Sequence, residues 1–499
     1  MSRMVSGRVL GSAAVLSIVI FALLFFIRPP RFSSPDEGLF LPDATPKAQI
    51  TPTATTTTPV TAAVSSHEST IPSSATVITT TITTTTTANP TCDVIPALDQ
   101  IQVIVKSGSN ILYDKLPTQL LTTLQCYHDI LLLADSEQDL GPYHVHDVLA
   151  NVNATIKATH PDFEYYRTIQ QYQQDGLDLR LLRDTPTSKK AAWTLDKYKF
   201  IHMLDQTWKQ RPGREWYVFI EADTYLVLRN LALWLKRMDP AEAIYLGSAA
   251  SYKSEAFAHG GSGIILSRAA MARVLDDDPG LTERYDQLLQ HEVYGDYVFM
   301  KALKEKGVAL QNSWPMLQGE KQNSLPFGPG PGSGRRHWCQ PLVTMHGVTP
   351  GDVSGMWNFE QQRGRPEVSF VPFSLGEMYE HFMGQDLPSE RDDWHNLSDD
   401  VIFRAPGVEG SRQIPAEKMT DVQKTAYGSF EQCHLACDED PRCFQYLYDS
   451  MEQTCGFSYS YRLGARRVAE NQHRYKSGWM REKIQKDVME NSCSGPEWV

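Results

Sequence analysis

The sequence has no Cys-x-x-Cys pair, no surplus of positive charge, and no cysteine before position 92. The first absence argues against a zinc site built from paired cysteines. The second, a formal charge of -12 and a pI near 5.6, excludes a nucleic-acid partner, because no basic stripe is present to neutralise a phosphate backbone. An anionic ligand then needs local help, such as a metal. Charge is also missing from the apolar run Val9 to Ile27, which Arg3, Arg8, Arg28 and Arg31 bracket. That run is long enough to cross a bilayer, and no small-residue cleavage pattern follows it. The expectation is an uncleaved signal anchor over 9–27 behind a short cytoplasmic tail, 1–8.

From Thr51 to Thr91 the composition is dominated by Thr with Pro, Ala and Ser. Such a segment cannot bury enough apolar surface to offset the entropy of folding, so 28–91 reads as an extended, O-glycosylated stem. The eight cysteines lie at 92, 126, 339, 433, 437, 443, 455 and 493, which suits disulfides in an oxidising compartment. The sequons at Asn153 and Asn396 point the same way. Together these features predict that residues 28 onward lie outside the cytosol.

With 499 residues and 41% hydrophobic content the chain can bury a large core. Ile101 to Val105, Ile130 to Leu133 and Trp216 to Ile220 read as buried strands. Helical stretches, around Leu116 to Cys126 and over Leu195 to Lys209, lie between them. This alternation predicts a parallel α/β sheet with ligands beyond the carboxyl ends of its strands. Asp135 and the pair Glu221/Asp223 stand at such ends. Acids spaced by one residue on an extended segment face the same way and could share a divalent cation. The plainer alternative is a solvated turn, with Asp223 capping a helix over Leu226 to Leu235.

Four segments in order carry a family resemblance: Glu221-Ala-Asp223-Thr-Tyr225 with Asn230-Leu-Ala-Leu-Trp234; His259-Gly260-Gly261-Ser262-Gly263 running to Ser267; Gly295-Asp296-Tyr297-Val298; and Val343-Thr-Met-His346. Over about residues 100 to 360 they resemble glycosyltransferase family 31, the core 1 β-1,3-galactosyltransferase and Fringe group. The resemblance implies a GT-A type, Rossmann-like nucleotide-sugar domain over 92–400. It further implies transfer of a hexose, galactose first, in β-1,3 linkage from a UDP-sugar to a glycan or glycoprotein, with Mn²⁺ as cofactor and the Golgi membrane as location. Asp223 and His346 would be metal ligands, and Glu221 would support the metal or the ribose. Asp135 would meet the uridine and Lys199, or Lys197, the donor. Gly260 and Gly261 would let backbone approach the donor, and Asp296 would be the general base. Two departures stand out: Gly295 replaces the family's usual Glu, and Glu221-Ala replaces its Asp-Asp.

Other residues take blander readings. His144-Val-His146 has same-face spacing but no matching acid or cysteine, so it reads as solvated or core. Asp276 to Asp278 ends a helix, and Pro326 to Gly334 is an irregular loop. The last hundred residues, 401–499, resemble a PAN/apple module in the spacing of Cys433, Cys437, Cys443 and Cys455: a small α+β fold with disulfides whose pairing the sequence leaves open. The contrasting expectation for the whole chain is a non-catalytic carbohydrate- or protein-binding surface protein that keeps the transferase scaffold.

Overall fold

The computed structural model describes residues 98–125, 127, 129–183, 185–330, 337–363, 371–384, 387–469 and 473–499. From Val94 to the C-terminus the chain is one compact unit. Its main sheet contains Ile101–Lys106 (β1), Leu131–Ala134 (β2), Gln138–Leu140 (β3), Tyr143–Asp147 (β4), Trp216–Glu221 (β5), Tyr245–Gly247 (β6), Ile264–Ser267 (β7) and Leu310–Asn312 (β8). The strand order is β8-β6-β7-β5-β1-β2-β4-β3. β1 pairs in parallel with β2 on one side and with β5 on the other. The chain therefore reverses its direction of winding at β1, which opens a crevice at the carboxyl ends of these strands.

Strand alternation builds the core on both faces. Ile104, Leu131, Leu133, Tyr217 and Phe219 join one buried cluster, and Val103, Val105, Leu132, Val218 and Ile220 join the other. With both faces covered by helices and loops, these strands are apolar at nearly every position, as buried parallel strands must be. The sheet is not wholly parallel: β7 runs antiparallel to both β5 and β6, and β3 to β4. β7 follows the glycine turn 260–263 and lies between β5 and β6.

The C-terminal part is a five-stranded sheet of Glu390–Asp392, Tyr475–Trp479, Gln445–Asp449, Thr454–Ser458 and Val401–Phe403, in that order. Helix Phe430–Glu439 packs on it, held by Cys433–Cys455 to a strand and by Cys437–Cys443 to the turn after the helix. Its contact with the rest is a shared core, in which Tyr461, Trp479 and Ile484 meet Tyr225, Met345 and Val348. Phe327 and Tyr461 exchange backbone hydrogen bonds of 3.0 and 2.8 Å.

Two expectations are corrected here. The longest helix among the described residues, Pro350–Gln362, has 13 residues, about 20 Å of rise against the roughly 30 Å of a bilayer core. No described helix is long and apolar enough to cross a membrane. The run 9–27 and the stem lie outside the described residues. The single-pass type II topology, the membrane as a partner and the Golgi membrane location are therefore not carried forward. The second correction concerns Asn396, whose sequon was read as pointing outside the cytosol. It is fully buried and donates to the carbonyls of Tyr446 and Gly478, so its amide is inaccessible in the folded chain.

Cys339 and Cys493 are joined across 154 residues, which ties the C-terminal segment to the loop before the strand leading to His346. Cys339→Ser with Cys493→Ser is expected to lower stability by about 2–5 kcal/mol. Denaturant titration followed by circular dichroism checks this, and an unchanged midpoint would refute it.

Candidate metal and donor site

The crevice at the ends of β1, β2 and β5 is lined by charge. Glu221 is the last residue of β5, and Asp223 follows in a tight turn closed by the Thr224 amide donating to the Glu221 carbonyl at 2.9 Å. His346 comes one residue after the short strand Thr344–Met345, which pairs with Tyr225–Leu226. The Val348 amide donates to the Asp223 carbonyl at 3.1 Å. Two chain segments more than a hundred residues apart are thus locked side by side. His346 Nε2 stands 3.6 Å from Glu221 Oε2 and 3.4 Å from Asp223 Oδ1. One ligand atom from each of the three lies within 4.8 Å of the others.

Two carboxylates and an imidazole are a donor set that suits a divalent cation of the Mn²⁺ or Mg²⁺ kind. The local backbone is shaped for it. A Cβ on Gly261 would come 2.5 Å from His346 Nε2, and one on Gly260 would meet the Phe200 ring at 2.7 Å. Only glycine leaves His346 free to turn to the carboxylates. Gly263, at φ +89°, takes a left-handed conformation that a side chain would strain. Burial disfavours charge on His346, but the Asp223 and Glu221 carboxylates outweigh it and push the imidazole up to about 10. Burial would raise Glu221, yet Lys106 and His346 hold it well below the usual carboxylate range. Asp223 is likewise lowered, against its burial, by His346.

The remaining candidates fall on either side of this cluster. Asp135, 1% exposed, accepts from the Ser109 amide at 2.8 Å and from Lys199 Nζ at 2.9 Å. Lys199 also pairs with Asp196 at 3.2 Å and donates to the Ser107 carbonyl at 2.9 Å. Both groups are therefore engaged with the protein, and they hold the turn 107–110 at the mouth of the crevice. Lys197 points elsewhere, to Asp162 at 2.8 Å and the Glu292 carbonyl at 3.0 Å. Asp296, in the first turn of helix Gly295–Glu305, accepts from the amides of Gly260 at 3.0 Å and Tyr297 at 2.9 Å. Burial pushes its carboxyl up to about 6 despite those two donors.

Gly295, which departs from the resembling family, has a physical reason. A Cβ there would lie 2.4 Å from the Lys197 carbonyl oxygen and from the Phe200 ring, so the helix can approach only as glycine. The sequence reading missed Lys106 and Asp196. Lys106, the last residue of β1, bridges Glu221 at 3.1 Å and Asp196. A lone charge ending an apolar strand was the available signal, the same one that marked Asp135 and Glu221. Lys115, 3.7 Å from Asp223, was missed because it sits on a helix whose partner is distant in sequence. His259 is kept neutral: burial, then His346, lowers it to about 4.

Gly261→Ala is expected to weaken Mn²⁺ binding at least about tenfold, because the new methyl displaces His346, a ligand-orienting contact of the kind whose loss costs 10–100-fold. Gly280→Ala, with no atom within 4 Å of its added Cβ, is the control. Calorimetric titration of Mn²⁺ into both variants decides, and equal affinities would refute the assignment.

Residues 182–288 match the model of the Fringe-like family. The matched span holds Lys199, Glu221, Asp223, Gly260 and Gly261, while Asp135, Asp296 and His346 lie outside it. The match and the candidate metal-binding cluster together support a glycosyltransferase-type enzyme, and residues 182–288 are its Fringe-like portion.

Proposed function

We propose that the protein is a metal-dependent, inverting glycosyltransferase of GT-A type that takes a hexose, galactose first, from a UDP-sugar and places it in β-1,3 linkage on a glycan or glycoprotein. The observation that carries this reading is the meeting of Glu221, Asp223 and His346 within 4.8 Å, at the crevice where β1 passes between β2 and β5. Mn²⁺ held there would neutralise the diphosphate leaving group.

The chain's own groups do the rest. Asp135 and Lys199 fix the 107–110 turn against which the nucleotide rests. The Gly260–Gly261 backbone gives the donor close approach. Asp296 accepts the proton of the acceptor hydroxyl as that oxygen forms the new bond to the anomeric carbon from the face opposite the diphosphate. Its carboxylate is held by the Gly260 and Tyr297 amides and so keeps one orientation. Its raised value of about 6 places it near the working range of a general base. The C-terminal sheet and helix, PAN/apple-like in its cysteine spacing, is assigned to acceptor recruitment.

The test is turnover of a panel of UDP-sugars by the purified chain with and without Mn²⁺. Asp223→Ala is expected to abolish metal-dependent UDP release. Asp296→Asn is expected to lower turnover by about 10²–10⁴-fold while retaining UDP binding. Because Asp296 acts in its charged form, kcat/KM should be full above pH 6 and fall as pH drops through about 6. Absence of turnover with every UDP-sugar would end the transferase reading. An active Asp296→Asn variant, or a profile flat through pH 6, would end the assignment of the base alone.

A further inference from the structure

The second concentration of metal-ligating side chains lies on the β3–β4 hairpin, away from the catalytic cluster. His144 and His146 alternate onto one face of β4, and their rings meet edge to face with centroids 4.6 Å apart. Read from sequence they lacked an acid. The hairpin provides one, because the chain turns back between β3 and β4 and brings Glu137 over both imidazoles. Glu137 Oε1 lies 2.6 Å from His144 Nε2 and 3.4 Å from His146 Nδ1. One ligand atom from each of the three is within 4.8 Å of the others.

We propose that Glu137, His144 and His146 form a second metal site, selective for a Zn²⁺-class cation, with Asp139 as the carboxylate that orients His144. Two imidazoles and one carboxylate are the three-ligand set that Zn²⁺ takes when its fourth position is left to water. That set differs from the oxygen-richer cluster at Glu221, Asp223 and His346, so the two sites prefer different cations. The ligands are held before any metal arrives. Asp139 stands opposite His144 in the hairpin register, and its Oδ1 lies 2.7 Å from His144 Nδ1. That contact leaves Nε2 for the metal, the carboxylate–histidine arrangement that fixes ring orientation in zinc sites. Glu137 is fixed from both ends: the Asp147 amide donates to its Oε2 at 2.7 Å, and Gln173 Nε2 donates to its carbonyl at 2.9 Å. A tetrahedral set with Zn–N bonds of about 2.0–2.1 Å needs ligand atoms roughly 3.3 Å apart, so the 2.6 Å Glu137–His144 contact must open and wider spacings close, within a set already gathered inside 4.8 Å.

The site is open to solvent, with Glu137 and His144 about half exposed, so a cation can reach it. Its consequence for the fold follows from position. Glu137 is two residues beyond Asp135, and a bound cation would clamp the segment that leaves β2 and carries Asp135 into the crevice.

The test is titration of the full chain with Zn²⁺ by calorimetry, and with Co²⁺ by visible absorption, in a His346→Ala background that removes the catalytic cluster. One tight Zn²⁺ site with a tetrahedral Co²⁺ spectrum is expected. Adding His144→Ala should abolish it. Adding Asp139→Asn should weaken it about 10–100-fold with unchanged stoichiometry. Glu137→Gln, which keeps the side-chain shape and removes the ligand charge, should also lose the site if His144→Ala fails to fold. Zn²⁺ binding that survives His144→Ala or Glu137→Gln, or no tight site in the His346→Ala chain, would overturn the proposal. Neither result depends on UDP-sugar turnover, so failure here is separable from failure of the transferase reading.

Discussion

A chain of alternating charge runs across the carboxyl ends of the central strands, and the site depends on it. Asp135 pairs with Lys199 at 2.9 Å, Lys199 with Asp196 at 3.2 Å, Asp196 with Lys106, Lys106 with Glu221 at 3.1 Å, Glu221 with His346 at 3.6 Å, His346 with Asp223 at 3.4 Å and Asp223 with Lys115 at 3.7 Å. Asp135, Lys199 and Lys106 are withdrawn from water, where an unpaired charge costs several kcal/mol, and the other five are half-buried. Each therefore holds its neighbour in place. The arrangement does not by itself make the fold more stable, since buried pairs seldom outweigh their desolvation. What it supplies is fixed orientation of dipoles and charges before a ligand arrives, the property electrostatic catalysis needs.

The C-terminal part of the chain takes part in the same arrangement. Its Tyr461 and Trp479 share a core with Met345 and Val348, the residues on either side of the His346–Gly347 turn, and with Tyr225 beyond Asp223. The strand that delivers His346 is short, two residues long, and would be poorly fixed by its own hydrogen bonds. Packing from the C-terminal sheet and the Cys339–Cys493 link supply the constraint that its length cannot. The C-terminal sheet and the Glu221–Asp223–His346 cluster are thus joined through that core.

Much of the scaffold was legible because apolar runs and their polar ends are local signals. β1, β2 and β5 fall within a residue of their expected positions. Convergence of Glu221, Asp223 and His346 could be anticipated only through a family resemblance, because no local pattern links residues so far apart. The antiparallel entry of β7 was not legible, since a strand's direction depends on the turn before it. The partners of charged residues were the least visible. Lys106, Asp196 and Glu137 owe their roles to neighbours contributed by other segments, and Gly295 looked like a lost carboxylate until its close approach to Lys197 was seen.

The central claim is that Glu221, Asp223 and His346 hold the cation that receives a nucleotide diphosphate. Calorimetric titration of UDP into the chain, with and without Mn²⁺, compared with a His346→Ala variant, tests it most directly. The account requires UDP to bind the unaltered chain only when Mn²⁺ is present, and the variant to lose that dependence together with most of the affinity. Equal UDP binding without metal, or Mn²⁺-dependent binding that survives His346→Ala, would contradict it.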